Sequence, residues 1–284
     1  MYKIVNKKEL NPTVVRMDIE APLVARKAEA GQFIILRVDE EGERIPLTVA
    51  GYDRDCGTVT VIFQIVGATT AKLAMLSEGD YIADFVGPLG APTELDGITD
   101  VCIVGGGVGC AIALPIARAL HDRGAKVTAI IGFRSRDLVI LEDEFRAVSD
   151  ELHVVTDDGS YARKGNVCLP LGEMFDSGRR FDKVITIGPL IMMKFVVNLT
   201  RSTGIPCVVS MNPIMIDGTG MCGGCRLTLL RDGKRVTKFA CVDGPDFNGY
   251  EVDFDEALMR GGMYKDFERH AYEESCNLLN KEVR

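Results

Sequence analysis

Residues Val101-Cys-Ile-Val104 form a fully apolar run that ends in Gly105-Gly-Gly107-Val-Gly109-Cys110 and continues into a helical pattern over 111–120. Gly124 stops the helix, and 125–131 is a second apolar run. A strand apolar on both faces has to be covered on both. The unit strand–glycine loop–helix–strand therefore predicts a parallel sheet flanked by helices. Glycines at the end of such a strand let a diphosphate approach the helix N-terminus, so Gly105, Gly106, Gly107 and Gly109 are candidate nucleotide contacts. The loop departs from the usual dinucleotide fingerprint at two points. Cys110 stands where G-x-G-x-x-G ends, and the second strand closes on Ile131-Gly132-Phe-Arg134 with no acid for a ribose hydroxyl. Another α/β phosphate loop is the alternative.

Further candidates lie along the same half. Arg134 and Arg136 follow the second strand, where a guanidinium can grip a 2′-phosphate or a diphosphate. NAD and NADP both stay open. Asp157-Asp158-Gly-Ser160 follows a strand at 152–156, at the carboxyl end where open sheets bind ligands. A last apolar strand, 183–188, runs into Gly188-Pro189 and a helix carrying Met192 and Met193.

Residues 1–97 have a different texture. Short β-type runs at 14–20, 32–38, 47–52 and 59–66 are broken by Gly, Pro and Asp, which predicts a small antiparallel barrel. Arg44-Ile-Pro46-Leu-Thr48 sets a cation and a hydroxyl near a strand start. Gly67-Ala-Thr69-Thr70 opens a short helix and is a plausible diphosphate seat, or an ordinary turn.

The last third holds the metal chemistry. Asp217-Gly-Thr-Gly-Met-Cys222-Gly-Gly-Cys225 is followed by Cys241. Residues 226–230 and 235–240 alternate around Asp232-Gly233, a strong hairpin signal that brings Cys225 and Cys241 together. Three thiolates are one short of a full ligand set, and Asp217 is within reach as the fourth. The reading is a [2Fe–2S] cluster on Asp217, Cys222, Cys225 and Cys241; a zinc knuckle or reduced structural cysteines are the alternatives. Helical pieces are expected at 253–259 and 264–279, the latter with Phe267, Ala271 and Cys276 as buried contacts.

The 284 residues suggest about two domains. A formal charge of −8, with no basic block, argues against nucleic acid. Nine cysteines without a paired framework suit a reducing cytoplasm. The N-terminus lacks the apolar core of a signal peptide, and no apolar run approaches the roughly 20 residues of a membrane span. A soluble cytoplasmic protein is expected.

The order barrel, Arg-x-Pro-x-Thr, Gly-x-x-Thr, then nucleotide fold resembles the ferredoxin–NADP reductase superfamily, with Gly87-Pro-Leu-Gly90 and Pro115 also matching. The resemblance implies FAD held by Arg44, Pro46 and Thr48, with Gly67, Thr69 and Thr70 near its diphosphate. It implies NAD(H) or NADP(H) on the 105–109 loop, Cys110, Arg134 and Asp158. The turn Gly188-Pro189-x-x-Met192 faces the nicotinamide in that superfamily; Ile187 replaces the cysteine often found before it. Cys110 is a nicotinamide neighbour or a buried filler.

Over its whole length the chain is similar to electron-transfer subunits of dihydroorotate dehydrogenase B, NADH-dependent reduced ferredoxin:NADP oxidoreductase and sulfide dehydrogenase. Asp217 in place of a first cysteine is similar to the small subunits of the oxidoreductase. The resemblance implies an FAD barrel at 1–97, a nucleotide domain at 98–208 and a [2Fe–2S] segment at 209–284. The activity implied is hydride exchange with NAD(H) at FAD, relayed as single electrons to a larger FAD and [4Fe–4S] subunit that performs electron bifurcation. Ferredoxin takes part through that subunit. A self-sufficient flavin reductase is the alternative, and no side chain is assigned a catalytic role.

Overall fold

The computed structural model describes residues 1–263, 266–270 and 272–273. The first part is a seven-stranded antiparallel sheet: β1 (Tyr2–Asn11), β2 (Val14–Glu20), β3 (Phe33–Arg37), β4 (Arg44–Asp53), β5 (Thr58–Gln64), β6 (Tyr81–Ile82) and β7 (Asp84–Leu89). The spatial order β6-β1-β2-β5-β4-β3-β7 puts two sequence neighbours, β6 and β7, at opposite edges. Only Ala83 separates them, so the edges meet there and the sheet is a nearly closed barrel. Alternation drives the folding: Val15, Met17 and Ile19 of β2 point inward with Val59, Val61 and Phe63 of β5. Two short helices, α1 (Pro22–Ala25) and α2 (Ala68–Met75), connect strands of the barrel.

The second sheet has the order β11-β10-β9-β8-β12-β13-β16, where β16 is Asp246–Asn248 from much later in the chain. Its parallel strands are β8 (Asp100–Gly106), β9 (Lys126–Phe133), β10 (Glu151–Thr156), β11 (Arg163–Lys164), β12 (Lys183–Ile187) and β13 (Cys207–Ser210). Helices α3 (Gly109–Asp122), α4 (Glu142–Ala147), α5 (Cys168–Asp176) and α6 (Leu190–Arg201) connect them. On α3 the buried Ala113, Leu114, Ile116, Ala117 and Leu120 recur at helical spacing. Each large side chain of that stripe contributes about 1.5–3 kcal/mol by leaving water. Barrel residues Val14, Ala50 and Ile62 share a core with Val101, Ile103 and Ile116, so barrel and sheet pack as one body.

The cysteine segment adds the hairpin β14 (Arg226–Arg231) and β15 (Lys234–Phe239), then α7 (Ala240–Asp243), β16 (Asp246–Asn248) and α8 (Phe254–Gly262). Asp232 (φ 49°) and Gly233 (φ 73°) make the tight turn their dipeptide calls for. β16 pairs antiparallel with β13, Ser210 opposite Asp246. The segment after 208 is thus stitched into the nucleotide sheet. The expected helix at 253–259 is α8. Phe267, expected to be buried, is 72% exposed, while Ala271 and Cys276 lie outside the described residues. Among the described residues no helix is long and apolar enough to cross a membrane.

Candidate functional site

A cavity of about 950 Å³ runs between barrel and sheet. Its volume is at the upper end of what a small-molecule or cofactor site occupies. The barrel contributes Thr13, Phe33, Pro46, Thr48 and Gln64. Phe33 and Thr48 are cross-strand partners, which sets an aromatic face beside a hydroxyl. Arg44, Pro46 and Thr48 alternate along β4 and therefore share one face. Arg44 Nε is buried with no hydrogen-bond partner, an open donor at the far end of this stripe. The α2 turn lies beyond it, where Thr69 Oγ1 donates to Glu43 at 3.2 Å. Thr70 is occupied locally: its Oγ1 accepts from Val66 and Gly67 N–H at 3.0 Å and donates to the Gly67 carbonyl at 2.9 Å. It shapes the turn. Gly67, Thr69 and Thr70 do not line the cavity itself.

From the sheet side, carboxyl ends of strands converge on the same space. Gly106, Gly107 and Gly109 line it from β8 and its loop; Gly188, Pro189 and Met192 line it from the end of β12 and the start of α6. Gly109 is held by close approach, since a Cβ there would lie 2.5 Å from the Ile187 carbonyl oxygen. Gly105 lies under Cys110, which is wholly buried. Burial pushes the Cys110 thiol far above its ordinary range, and the sulfur does not line the cavity. It acts as core. Arg134 lines the far end together with Asp157. Asp158 turns away, its carboxylate accepting from Ser160 N–H and Oγ at 2.9 and 2.7 Å; those bonds hold it below the ordinary carboxyl range.

The cysteine loop abuts this cavity. Met215, two residues before Asp217, and Pro245, four after Cys241, both line it. A Cβ on Gly218 would meet Leu89 and Ile35 at 2.6 and 2.9 Å, so the loop lies directly on the barrel. Cys225 and Cys241 are buried with their sulfurs 3.1 Å apart, as the hairpin predicts. Cys222 is exposed, and Gly224 N–H points at its sulfur from 3.5 Å. Asp217 accepts from Thr219 N–H at 2.8 Å and Cys222 N–H at 2.7 Å. The Thr219 amide, followed by Cys222, keeps its carboxyl below the ordinary range, hence an anionic oxygen donor. Among the described residues no three His, Cys, Asp or Glu side chains gather around one metal ion. The four candidates stand as two pairs, Asp217 with Cys222 and Cys225 with Cys241. Two pairs fit a two-iron centre better than a single zinc.

Sequence reasoning passed over several lining residues, among them Gln64, Asn166, Phe195 and Ser210. Ser210 had a usable signal, since it ends a parallel strand on the cleft side. Asn166 and Phe195 carried none.

A nearly closed barrel joined across a cleft to a parallel nucleotide sheet defines a reductase of the ferredoxin–NADP reductase fold. The chain is 46% identical over 273 residues to a dihydroorotate dehydrogenase B (NAD(+)) electron transfer subunit homolog of Thermotoga maritima, covering 96% of this chain and 95% of that one. It is 36% identical over 250 residues to the electron transfer subunit of Streptococcus pneumoniae, covering 86% and 94%. The solved structure of the NADH-dependent reduced ferredoxin–NADP oxidoreductase superposes with a TM-score of 0.89 at 44% identity, over 96% of this chain and 97% of that one. Residues 212–253 match the iron-sulfur cluster binding domain of dihydroorotate dehydrogenase B. The chain belongs to the family of dihydroorotate dehydrogenase B electron-transfer subunits and their homologues.

Proposed function

We propose that this chain is a cytoplasmic electron-transfer subunit with three parts: an FAD barrel at 1–97, an NAD(H) domain at 98–208 and a [2Fe–2S] segment at 209–284. It exchanges hydride with NAD(H) and passes single electrons to a larger FAD and [4Fe–4S] subunit, as in NADH-dependent ferredoxin:NADP oxidoreductase, with ferredoxin served through that partner. The observation that carries the reading is one cavity walled by Pro46 and Thr48 of β4 and by the 106–109 loop, with Met215 and Pro245, which flank the cysteine segment, on the same wall. When bound, FAD supplies exchange of an electron pair with nicotinamide and its release one electron at a time, and the cluster supplies single-electron transfer.

The residues divide this work among themselves. Arg44 presents its unpartnered Nε to a flavin phosphate, while Pro46 and Thr48 border the ring with Phe33. Gly106, Gly107 and Gly109 admit the dinucleotide backbone, and Gly188, Pro189 and Met192 close over the nicotinamide end. Arg134 lies toward the adenosine end. Asp217, Cys222, Cys225 and Cys241 hold the cluster, which Met215 and Pro245 separate from the cavity by a thin apolar wall. Such a wall excludes water, so charge has no easy route to solvent. A dihydroorotate dehydrogenase B subunit is the second reading, favoured by the family match over 212–253, with a sulfide dehydrogenase subunit as a further alternative.

The test is a visible spectrum with iron, sulfide and zinc analysis of the purified protein, followed by Asp217→Ala. Iron and sulfide in equal amounts with bound FAD are expected, and the variant should lose or weaken the cluster while FAD stays. Zinc in place of iron, or an unaltered cluster spectrum in the variant, would overturn the ligand assignment. Co-purification with a larger flavin iron–sulfur protein separates the subunit from a self-sufficient reductase.

A further inference from the structure

Asp246 is a half-buried acid with an enclosed carboxyl that none of the steps above uses. It begins β16, directly opposite Ser210 at the end of β13. Its Oδ2 accepts from Thr93 Oγ1 at 2.6 Å, and Thr93 belongs to the linker from barrel to sheet. Its Oδ1 is shut off from solvent without a hydrogen-bond partner. The Ser210 hydroxyl stands beside the carboxyl, and Lys183 of β12 is the charged neighbour that acts on it. Lys183 is engaged elsewhere, donating to the Glu94 carbonyl at 3.4 Å. Burial dominates, and raises the carboxyl above its ordinary value against the smaller opposing effects of Thr93, Ser210 and Lys183.

Ser210 connects this acid to the cavity. It lines the cavity wall, and strand register fixes its height. Val209 pairs with Thr186, and Ile187 pairs with Gly105, so Ser210 is level with the Ile187–Gly188 turn and the start of the glycine loop. A hydroxyl has one proton and two lone pairs. Beside an ionised carboxylate, Ser210 would spend its proton on Asp246. Beside a neutral acid it receives a proton instead, and its own O–H is free to point into the cavity.

We propose that Asp246 is a positioning residue for the nicotinamide end of the cavity: its carboxyl, unpartnered at Oδ1, pairs with the hydroxyl of its cross-strand neighbour Ser210 and so sets how that hydroxyl is presented to the carboxamide of the dinucleotide. The inference rests on the nucleotide reading above. Three segments meet at this carboxyl: the interdomain linker, the sheet edge and the chain returning from Cys241. The contact therefore transmits the position of the cysteine segment to the nucleotide seat.

The test titrates NAD+ and ADP-ribose, which lacks the nicotinamide, into the FAD-loaded, cluster-loaded protein and its variants. Ser210→Ala should weaken NAD+ roughly threefold to tenfold, the worth of one hydrogen bond, with ADP-ribose unchanged. Asp246→Ala should weaken NAD+ similarly, and the double variant should be no weaker than either single one. Asp246→Asn should restore most of the affinity, because an amide N–H can donate to Ser210 while its oxygen accepts from Thr93. Thr93→Val should lower Tm and leave NAD+ affinity alone.

A second readout needs no ligand. Because the folded pKa is raised, the wild type loses stability as pH climbs from the ordinary carboxyl value of 3.8 toward the folded one. Asp246→Asn lacks that loss, so its Tm relative to wild type should rise with pH across this window. Unchanged NAD+ affinity in Ser210→Ala, equal weakening of ADP-ribose, effects that multiply in the double variant, or a pH-independent Tm difference would each overturn the proposal. If Asp246→Ala does not fold, Ser210→Ala and Asp246→Asn decide it. A wild type that binds FAD but not NAD+ overturns the nucleotide reading, and this inference with it.

Discussion

Two glycine-rich loops carry the chemistry of this chain, and glycine answers a different physical demand in each. In the 105–109 loop the demand at Gly106 and Gly109 comes from neighbours. A Cβ on Gly109 would press on the Ile187 carbonyl and the Gly188 backbone, and one on Gly106 would overlap the Met192 sulfur. In the cysteine loop, where Gly218 is in addition pressed against Leu89 and Ile35, the backbone makes the demand at three glycines, with φ of 76° at Gly218, 82° at Gly220 and 68° at Gly223. Those are left-handed values that an L side chain adopts at a cost of about 1–2 kcal/mol. The first loop is a packing solution with its surroundings already in place. The second is a conformational solution, with Cys222 and Met221 left at the surface. Equal composition conceals this difference, and substitution exposes it.

The largest effect should come from the part where chemistry and packing coincide. Cys225→Ser or Cys241→Ser breaks the buried 3.1 Å sulfur pair and should reduce iron and sulfide content to near background while FAD remains, as read by metal analysis and visible absorbance. Gly109→Ala comes next. The clash with Ile187 should cost roughly 1–3 kcal/mol in a denaturant titration and weaken NAD(H). Its partner test in the other loop is Gly223→Ala, where φ is 68° and a Cβ meets only Phe239, at 3.9 Å. That variant should lose only the left-handed penalty. Equal losses from the two would collapse the distinction between loops. Gly220→Ala should cost about 1–2 kcal/mol and lower cluster occupancy with no effect on NAD(H) affinity.

The smallest effect lies beneath the first loop, at the start of the strand that delivers it. Asp182 accepts from Thr99 N–H and Oγ1, both at 2.8 Å, and from Asp100 N–H at 2.9 Å. The Thr99 amide, followed by its hydroxyl and the Asp100 amide, holds the carboxyl below 3.8. Its contribution is therefore complete above that value and disappears as pH falls through the lowered folded pKa. Asp182→Asn should lower Tm by about 2–4 °C at neutral pH, with the gap closing in acid. A gap that persists in acid would mean the carboxylate is not what pins β8.

What the sequence made legible follows the same division. Strand–loop–helix order, the barrel, and the Asp232-Gly233 hairpin were readable, because apolar period and turn chemistry are local. The Cys225–Cys241 pair was readable too, since one hairpin register decides it. Long-range choices were not. Asp157 and Asp158 are adjacent and identical, and only the bond to Ser160 decides which one leaves the cavity. Cys110 stood between a nicotinamide neighbour and a buried filler on motif position alone, and its burial in the α3 core favours the filler. β1 was missed because Lys3, Asn6, Lys7, Lys8 and Glu9 leave most of that strand solvent-facing and break any apolar alternation, with Ile4 its only fully buried residue. β16 was missed because three residues, Asp246–Asn248, carry no periodicity and gain their strand character only by pairing with β13.

That last pairing has a consequence for how the chain is made. β13 is an internal strand only once residues 246–248 have reached it. Until then its outer row of amides and carbonyls is an open template for mispairing. During synthesis from the N-terminus, every cysteine of the 222–241 set emerges before the nucleotide sheet acquires its final border. Ligands for iron are thus on hand before the sheet is sealed. Faulty maturation of the cysteine segment would register as an unprotected sheet edge.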